Sequence, residues 1–169
     1  MYYLDSSQQP GAARRDSLAE AWSPSTEVLP SAGPADFGAN DLRLMAGSKA
    51  DRTMSTSSLV EYSRTAIGGM WTSERAPTFV AAPFGDTAPA LSRDGLELFY
   101  EHHSTADDWE IYRAVRTSLN VAFTTSELVP LTAARIHGDP ELSDDGRTLY
   151  FTVLVGGDFR IYVATRDPT

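Results

Sequence analysis

The hydrophobic residues of this chain fall into short runs rich in β-branched and aromatic side chains. Three of them are "LELFY" at 96–100, "TLYFTVLV" at 148–155 and "RIYVA" at 160–164. Their lengths and composition are typical of β-strands, whereas a buried helix would need a longer run. Polar residues hardly alternate with apolar ones, which predicts strands buried on both faces, as in a sheet stacked between two other sheets.

Two of the boundaries between these runs are Asp-Gly pairs, Asp94-Gly95 and Asp145-Gly146. An Asp-Gly pair between apolar runs is typical of a two-residue hairpin turn, because glycine tolerates the positive φ that such a turn needs. The aspartate is expected to bond turn amides, which is a structural role. Both pairs therefore predict hairpins.

The segment at 89–116, "PALSRDGLELFYEHHSTADDWEIYRAVR", recurs at 140–166 as "PELSDDGRTLYFTVLVGGDFRIYVATR". The offset is 51 residues up to the second strand and 50 at its end. The matched positions are Pro89, Ser92, Asp94, Gly95, Tyr112 and Arg116 in one copy, and Pro140, Ser143, Asp145, Gly146, Tyr162 and Arg166 in the other.

Weaker copies precede these two. Asn40-Asp41 stands where the later copies have Asp-Gly, and Arg64 lies 52 residues before Arg116. Trp71 lies 52 residues before Phe123, and Trp22 lies 49 residues before Trp71. A period near 50 residues built from strands alone is typical of propeller blades.

The prediction is an all-β fold, a partial β-propeller of about three and a half four-stranded antiparallel blades in one domain. The blades are placed at 1–33 (incomplete), 34–85, 86–137 and 138–169 (incomplete). A propeller closes with about four to eight blades. The alternatives are thus a piece of a longer propeller, a ring of copies associating through open blade faces, or a lone arc.

The composition of the chain argues against several classes of function. The net charge of −9 argues against binding to nucleic acid or to an anionic membrane surface. The absence of cysteine excludes disulfides, thiol catalysis and cysteine-bound zinc. No apolar run is long enough for a membrane span, and no signal peptide is visible at the start.

The one local cluster of metal-capable side chains is placed in a loop between the second and third strands of the best copy. A solvated polar loop is the main interpretation, and contact with a ligand is the alternative. Neighbouring histidines in an extended chain point to opposite sides, so a shared metal is disfavoured. The ligand-contact candidates are His102, His103, Asp107 and Trp109.

A second recurring side chain is the arginine at the end of the third strand, at Arg64, Arg116 and Arg166. It is expected to pair with a turn carboxylate of its own or the next blade. That pairing would be structural. No phosphate loop, nucleophile elbow or calcium loop is recognisable.

The run of Pro-x-x-Ser-x-Asp-Gly, then Leu-Tyr-Phe-like and Ile-Tyr-x-x-x-Arg segments, resembles the PD40 or WD40-like repeat of TolB-type β-propellers. The resemblance implies a non-enzymatic scaffold without cofactors that binds a protein or a glycan, often in the periplasm or cell envelope. It also implies an alternative, a propeller accessory to a prolyl-oligopeptidase-like hydrolase whose catalytic residues lie outside this chain.

Overall fold

A computed structural model describes residues 2–4, 10–14, 19, 21, 23–24, 34–47, 58–79, 83–105, 107–131 and 137–167. These residues form fourteen strands and no helix. The strands are β1 (Tyr2–Leu4), β2 (Pro10–Arg14), β3 (Ser23–Pro24), β4 (Ala35–Gly38), β5 (Arg43–Gly47), β6 (Leu59–Ser63), β7 (Thr72–Arg75), β8 (Asp86–Leu91), β9 (Glu97–Thr105), β10 (Asp108–Val115), β11 (Ser126–Leu128), β12 (His137–Leu142), β13 (Thr148–Val155) and β14 (Asp158–Thr165).

The strands pair in chain order into four antiparallel sheets. Sheet I holds β1–β3, sheet II β4–β7, sheet III β8–β11 and sheet IV β12–β14. The predicted all-β, antiparallel architecture is confirmed. In the described part of the chain the sheets do not close into a ring. The sequence also predicts a fourth strand of the first copy at Thr26–Leu29, which, like Trp22, lies outside the described residues.

Sheet III is the centre of the core because it is covered on both sides. One face packs on sheet II through Met45, Leu59, Leu91, Leu98, Tyr100, Ala114 and Phe123. The other packs on sheet IV through Ala90, Phe99, Ile111, Leu149, Phe151 and Val153. Burial on both faces is thus confirmed for β9, whose first five residues are all buried. Such burial contributes about 25 cal/mol for each Å² of apolar surface removed from water.

The last strand departs from that prediction. Along β14 every residue except Ala164 is exposed. Its apolar sequence is the same kind as that of β10, but no described element covers its outer side. The prediction of burial on both faces is therefore wrong for the run at 160–164. It is also wrong for the run at 148–155, where only one side of β13 is buried and Tyr150 is exposed.

The two Asp-Gly pairs have the same geometry, but they are not two-residue hairpins. The amide of Gly95 donates to the Ser92 carbonyl at 2.7 Å, and the Ser92 amide donates to the Glu97 carbonyl at 2.8 Å. The connection is therefore a four-residue loop, 93–96. Only the glycine takes positive φ, 73° at Gly95 and 69° at Gly146. The two-residue prediction is wrong because the serine side chain extends the turn.

That serine organises each loop. Ser92 Oγ donates to Asp94 Oδ1 at 2.6 Å and accepts from the Glu97 amide at 2.8 Å. Ser143 Oγ makes the same bonds to Asp145, at 2.7 Å, and from the Thr148 amide, at 2.9 Å. The Ser-x-Asp-Gly repeat is a self-contained turn that satisfies its own backbone groups.

The strand-end arginines of sheets III and IV each join their sheet to the preceding one. Arg116 Nε donates to the Gly95 carbonyl at 2.8 Å, while its two Nη atoms bond Glu61 of sheet II. Arg166 repeats this with the Gly146 carbonyl and with Glu97 of sheet III. The predicted partner, a turn carboxylate, is wrong: the turn offers a carbonyl, and the carboxylate comes from a strand of the preceding sheet.

The first strands of sheets III and IV carry a matching irregularity. Ala88 and Asp139, each directly before a proline, have φ of 44° and 47°, and the strand register shifts at both points. Pro89 and Pro140 cannot donate to the sheet, so the bulge falls where a donor is missing. The described residues include no helix long and apolar enough to cross a membrane.

Candidate ligand-binding pocket

One cavity lies where the first strands of three successive sheets meet. Strand β4 lies beside β8, and β8 lies beside β12. The cavity, which we call the inter-sheet pocket, has a volume of about 410 Å³. Its lining residues are Asp36, Phe37, Gly38, Asn40, Asp41, Ile67, Leu91, Arg93, Glu141, Leu142, Ser143 and Asp144. Sheets II, III and IV therefore build the site jointly.

Close backbone contact between sheets II and III forms one wall. The amide of Ala39 donates to the Arg93 carbonyl at 2.6 Å. A Cβ atom on Gly38 would lie 2.6 Å from the Ser92 carbonyl oxygen and 2.7 Å from Leu91 Cδ2. Only glycine permits this approach, which brings the turn of sheet II against the end of β8.

Asp36 is the most perturbed carboxylate of the pocket. Its Oδ2 accepts a hydrogen bond from the Leu91 amide at 2.6 Å, which links β4 to β8. Burial is the main cause that raises the pKa of Asp36 to about 7, and the negative charge of Glu141 acts in the same direction. The hydrogen bond from the Leu91 amide acts in the opposite direction and lowers the pKa. The group can therefore change its charge near neutral pH.

The opposite wall comes from sheet IV. Partial desolvation and the nearby charge of Asp144 raise the pKa of Glu141. Asp144 itself lies 3.4 Å from Arg93 Nη1, and both side chains are exposed. Such an exposed pair contributes only about 0–1 kcal/mol, so it can open for a ligand. Four carboxylates against one guanidinium make the pocket acidic.

The predicted ligand-contact histidines lie elsewhere, and they are not in a loop. His102 and His103 both belong to β9, where they point to opposite faces as expected for an extended chain. His102 Nδ1 lies 2.9 Å from Asp86 Oδ1, and its ring centroid is 4.3 Å from that of Tyr112. The solvated-loop interpretation is wrong because β9 continues past Glu101 to Thr105. His102 and His103 pair there with Glu110 and Trp109 of β10, so both rings lie within the sheet packing.

His103 is the more deeply buried of the two. Its Nε2 lies 2.8 Å from Glu101 Oε2, and its ring stacks on Trp109 at 4.7 Å between centroids. Its Nδ1 is buried without a hydrogen-bond partner. Glu101 Oε1 also accepts the Asp139 amide at 2.6 Å, so this cluster joins sheet III to sheet IV.

The remaining candidate, Asp107, is exposed in the β9–β10 turn, whereas Trp109 lies half-buried in β10. Neither these two residues nor the histidines line the inter-sheet pocket. Across the described ranges, no group of three or more His, Asp or Glu side chains is placed to hold a metal ion.

A smaller cavity of about 220 Å³ separates the outer part of sheet III from sheet IV. It is lined by Glu110, Ile111, Leu128, Val129, Pro130, Leu131 and His137. Burial lowers the pKa of His137. The mostly apolar lining offers few groups that could orient a ligand.

Sequence reasoning missed the pocket residues. Asp36 pairs with Met45 in β4–β5, Ala90 with Phe99 in β8–β9, and Glu141 with Tyr150 in β12–β13. The partners Met45, Phe99 and Tyr150 are equivalent residues of the repeat. Asp36 and Glu141 therefore occupy the same position of the repeat, and the copy between them has Ala90 there. The signal in the sequence that could have identified them is an acidic residue at this position of the first strand in two copies of the repeat.

Comparison with known proteins defines the class at the level of fold. No protein-family model matches the sequence, and no curated protein matches it. Among solved structures, the crystal structure of TolB from Acinetobacter baumannii is similar, with a TM-score of 0.51 and 16% sequence identity. The match covers 94% of this chain and 35% of that chain. The fold is therefore TolB-like, and the chain spans about a third of the length of that structure.

Proposed function

We propose that this chain is a non-enzymatic, propeller-like binding module whose three and a half blades carry PD40-type repeats. It binds a protein partner, and the inter-sheet pocket is where a basic segment of that partner enters. The observation that carries the proposal is the convergence of Asp36, Asp41, Glu141 and Asp144, from two sheets, on one cavity of about 410 Å³.

The chemistry of the pocket favours a cationic group over a neutral sugar. A lysine, an arginine or a chain N-terminus would face four carboxylates and one guanidinium, Arg93. The Arg93–Asp144 pair at the rim is exposed and weak enough to be displaced. Placing the site on strands and tight turns of three sheets gives a rigid surface, as binding scaffolds require.

The buried His103–Glu101 pair supports a non-catalytic interpretation of the second polar cluster. His103 Nε2 is held by Glu101, its Nδ1 has no partner, and the neighbour stacked on the ring is Trp109. A general base needs a nucleophile within hydrogen-bond reach, and among the described residues none is hydrogen-bonded to the His103 ring. In the enzyme-accessory alternative, which the family resemblance implies, the catalytic residues would belong to a hydrolase domain outside this chain.

Binding of synthetic peptides tests the proposal. We would measure the affinity of short peptides carrying Lys, Arg, Gln or Glu at one central position, beside a glycan array, for the unaltered chain and for Asp41→Asn and Glu141→Gln. The expected result is binding of the Lys and Arg peptides that weakens at least tenfold in both variants. Asp107→Asn, outside the pocket, is the matched control.

Binding of the Glu peptides as tightly as the Lys peptides would overturn the electrostatic proposal, and selective glycan binding would replace the protein partner by a sugar. The reading frame on either side of the gene tests the accessory alternative. A downstream hydrolase domain with a Gly-x-Ser-x-Gly motif would favour it, whereas further blades would favour an envelope scaffold, the location that the family resemblance implies.

A further inference from the structure

The connection between β6 and β7 places an exposed apolar side chain at the inter-sheet pocket. Ile67 is 63% exposed, and it lines the cavity together with the carboxylates of Asp36, Asp41 and Glu141. A single exposed isoleucine is common on protein surfaces, so its position in the repeat decides whether the exposure has a structural cause.

The equivalent of this isoleucine in sheet III is Leu119. In sheet II the guanidinium of Arg64 lies over the ring of Trp71 at 4.3 Å. In sheet III the guanidinium of Arg116 lies over the ring of Phe123 at 4.4 Å. Six residues separate the arginine from the aromatic residue in both copies, and the third of them is the isoleucine in one copy and Leu119 in the other.

Leu119 packs against the turn of its own sheet. Its Cδ2 atom lies 2.8 Å from the position that a Cβ atom on Gly95 would take. The leucine, which is half-buried, therefore occupies space that is open only because the turn has glycine there. A side chain at that position of the turn would displace it.

The turn of sheet II has Asp41 at the position of Gly95. The strand-end arginines show this equivalence, because Arg64 Nε donates to the Asp41 carbonyl at 2.8 Å and Arg116 Nε donates to the Gly95 carbonyl at the same distance. The φ angles of the two turn residues, 62° and 73°, are also similar. The Cβ atom of Asp41 therefore takes the space that leucine fills in sheet III, and the isoleucine of sheet II cannot pack in the same way.

One difference between the two copies thus brings an acidic group and an apolar group to the same cavity. The carboxylate of Asp41 adds to the negative charge of the pocket, and Ile67 stays exposed beside it. A ligand that complements both has a cation for the carboxylates and an apolar group that covers the isoleucine, since burial of apolar surface adds affinity that charge alone does not supply. In an extended peptide, side chains two residues apart point to the same side and can enter one cavity together.

We propose that Ile67 is a specificity-determining residue of the inter-sheet pocket, which selects an extended peptide segment with an apolar side chain two residues from the basic one. This inference rests on the proposed function, because it requires that a lysine or an arginine enters the cavity. It adds a requirement that the charge of the pocket does not impose, so it can fail while the proposed function holds.

Two synthetic peptides with the same central lysine test the proposal. One has leucine two residues before and two residues after the lysine, the other has serine at both positions, and glycine fills the remaining positions. Calorimetry is expected to show that the unaltered chain binds the leucine peptide at least about tenfold more tightly. Ile67→Ser should lower this ratio to less than about twofold, whereas Ile67→Leu should keep it.

Met70→Ser is the matched control. Met70 is 91% exposed and belongs to the same connection, but it does not line the cavity. The ratio of the two affinities should therefore be the same in this variant as in the unaltered chain.

Methyl NMR of a chain labelled at isoleucine locates the contact. The signal of Ile67 is the one that Ile67→Ser removes, and it should shift when the leucine peptide is added. Ile161 is 77% exposed but does not line the cavity, so its signal should not move. A shift of Ile161 in place of Ile67 would put the contact elsewhere and overturn the proposal.

Equal affinities of the unaltered chain for both peptides, or a tenfold ratio retained by Ile67→Ser, would overturn this proposal and leave the proposed function in place. Absence of binding by either lysine peptide would overturn both. A leucine peptide with glutamate in place of lysine that binds as tightly would also overturn both, because the pocket would then not require the cation.

Discussion

Arg116 of sheet III and Glu61 of sheet II form a buried, two-pronged ion pair across the interface between the sheets. The Nη1–Oε2 and Nη2–Oε1 distances are 2.8 Å and 2.7 Å, and the side chains are 0% and 1% exposed. The Arg116 guanidinium also lies over the Phe123 ring at 4.4 Å. Arg64 repeats the ring contact with Trp71 at 4.3 Å within the weak second copy, which supports the alignment of that copy with the third.

Removing the Arg116–Glu61 pair should lower the free energy of unfolding more than removing the equivalent Arg166–Glu97 pair. Arg116→Ala leaves the buried Glu61 with only the more distant Arg75 and Arg43, at 3.5 Å and 3.8 Å, and we expect the free energy of unfolding to fall by about 3 kcal/mol. Arg166→Ala removes the equivalent contact to Glu97, but Arg166 is 42% exposed, so a loss of about 1–2 kcal/mol is expected. Urea unfolding of both variants checks the order, and equal losses would show that burial does not decide the cost.

The cost of replacing the turn glycine should depend on how easily the new residue adopts a positive φ angle. Gly146 has φ of 69°, and a Cβ there would lie 3.2 Å from Arg166 Nη2. We expect Gly146→Val to lower the free energy of unfolding by at least about 1–2 kcal/mol, because a β-branched residue resists positive φ. Gly146→Asn is the matched control, since asparagine adopts this conformation more easily. An unchanged thermal midpoint in the valine variant would reject the turn assignment.

Asp36 should make the folded state less stable as the pH rises. Its folded pKa of about 7 lies above the unfolded value of 3.8, so between these values the folded state binds more protons than the unfolded state. Stability therefore falls across this window, by on the order of 2–4 kcal/mol. Asp36→Asn, which can still accept the Leu91 hydrogen bond, should remove the slope and be more stable than the unaltered chain at pH 8.

Asp94 supplies the control of opposite sign. The Ser92 hydrogen bond lowers the pKa of Asp94, so its contribution to stability is present above its unfolded pKa and is lost as the pH falls through the folded value. Asp94→Asn should therefore cost stability at pH 7 and less at pH 3. Urea titrations at four pH values would measure both variants, and a wild-type slope retained by Asp36→Asn would contradict the assignment.

We expect His103 to contribute to the stability of the fold. His103→Ala removes a buried ring that stacks on Trp109 and leaves Glu101 with one fewer partner, so we expect a loss of about 2–4 kcal/mol. His102→Ala, nearer the surface, should cost less, and neither change should alter bound metal measured by elemental analysis. Loss of metal in either variant would revive a metal site that the described geometry does not support.

The Ser-x-Asp-Gly turns and the strand-end arginines show how far sequence reasoning reached. Spacing alone aligned Gly95 with Gly146 and Arg116 with Arg166, and the structure gives each pair the same bonds. The spacing did not predict the four-residue loop, because that loop depends on a serine hydroxyl that makes hydrogen bonds to two residues at once. It also placed His102 and His103 in a loop, because two polar residues near a variable stretch do not reveal that the strand continues.

What the sequence determined by itself is local and periodic: strands rather than helices, glycines where φ is positive, and a unit of about 50 residues repeated along the chain. These follow from side-chain shape and backbone freedom, which neighbouring residues fix. Only the tertiary structure decided that Glu61 receives Arg116, that Asp36 and Glu141 face one cavity, and that Ile161 is exposed while Ile111 is buried. Those outcomes depend on which sheet packs against which, and the sequence around two residues that lie more than 50 positions apart does not reveal that they will be in contact.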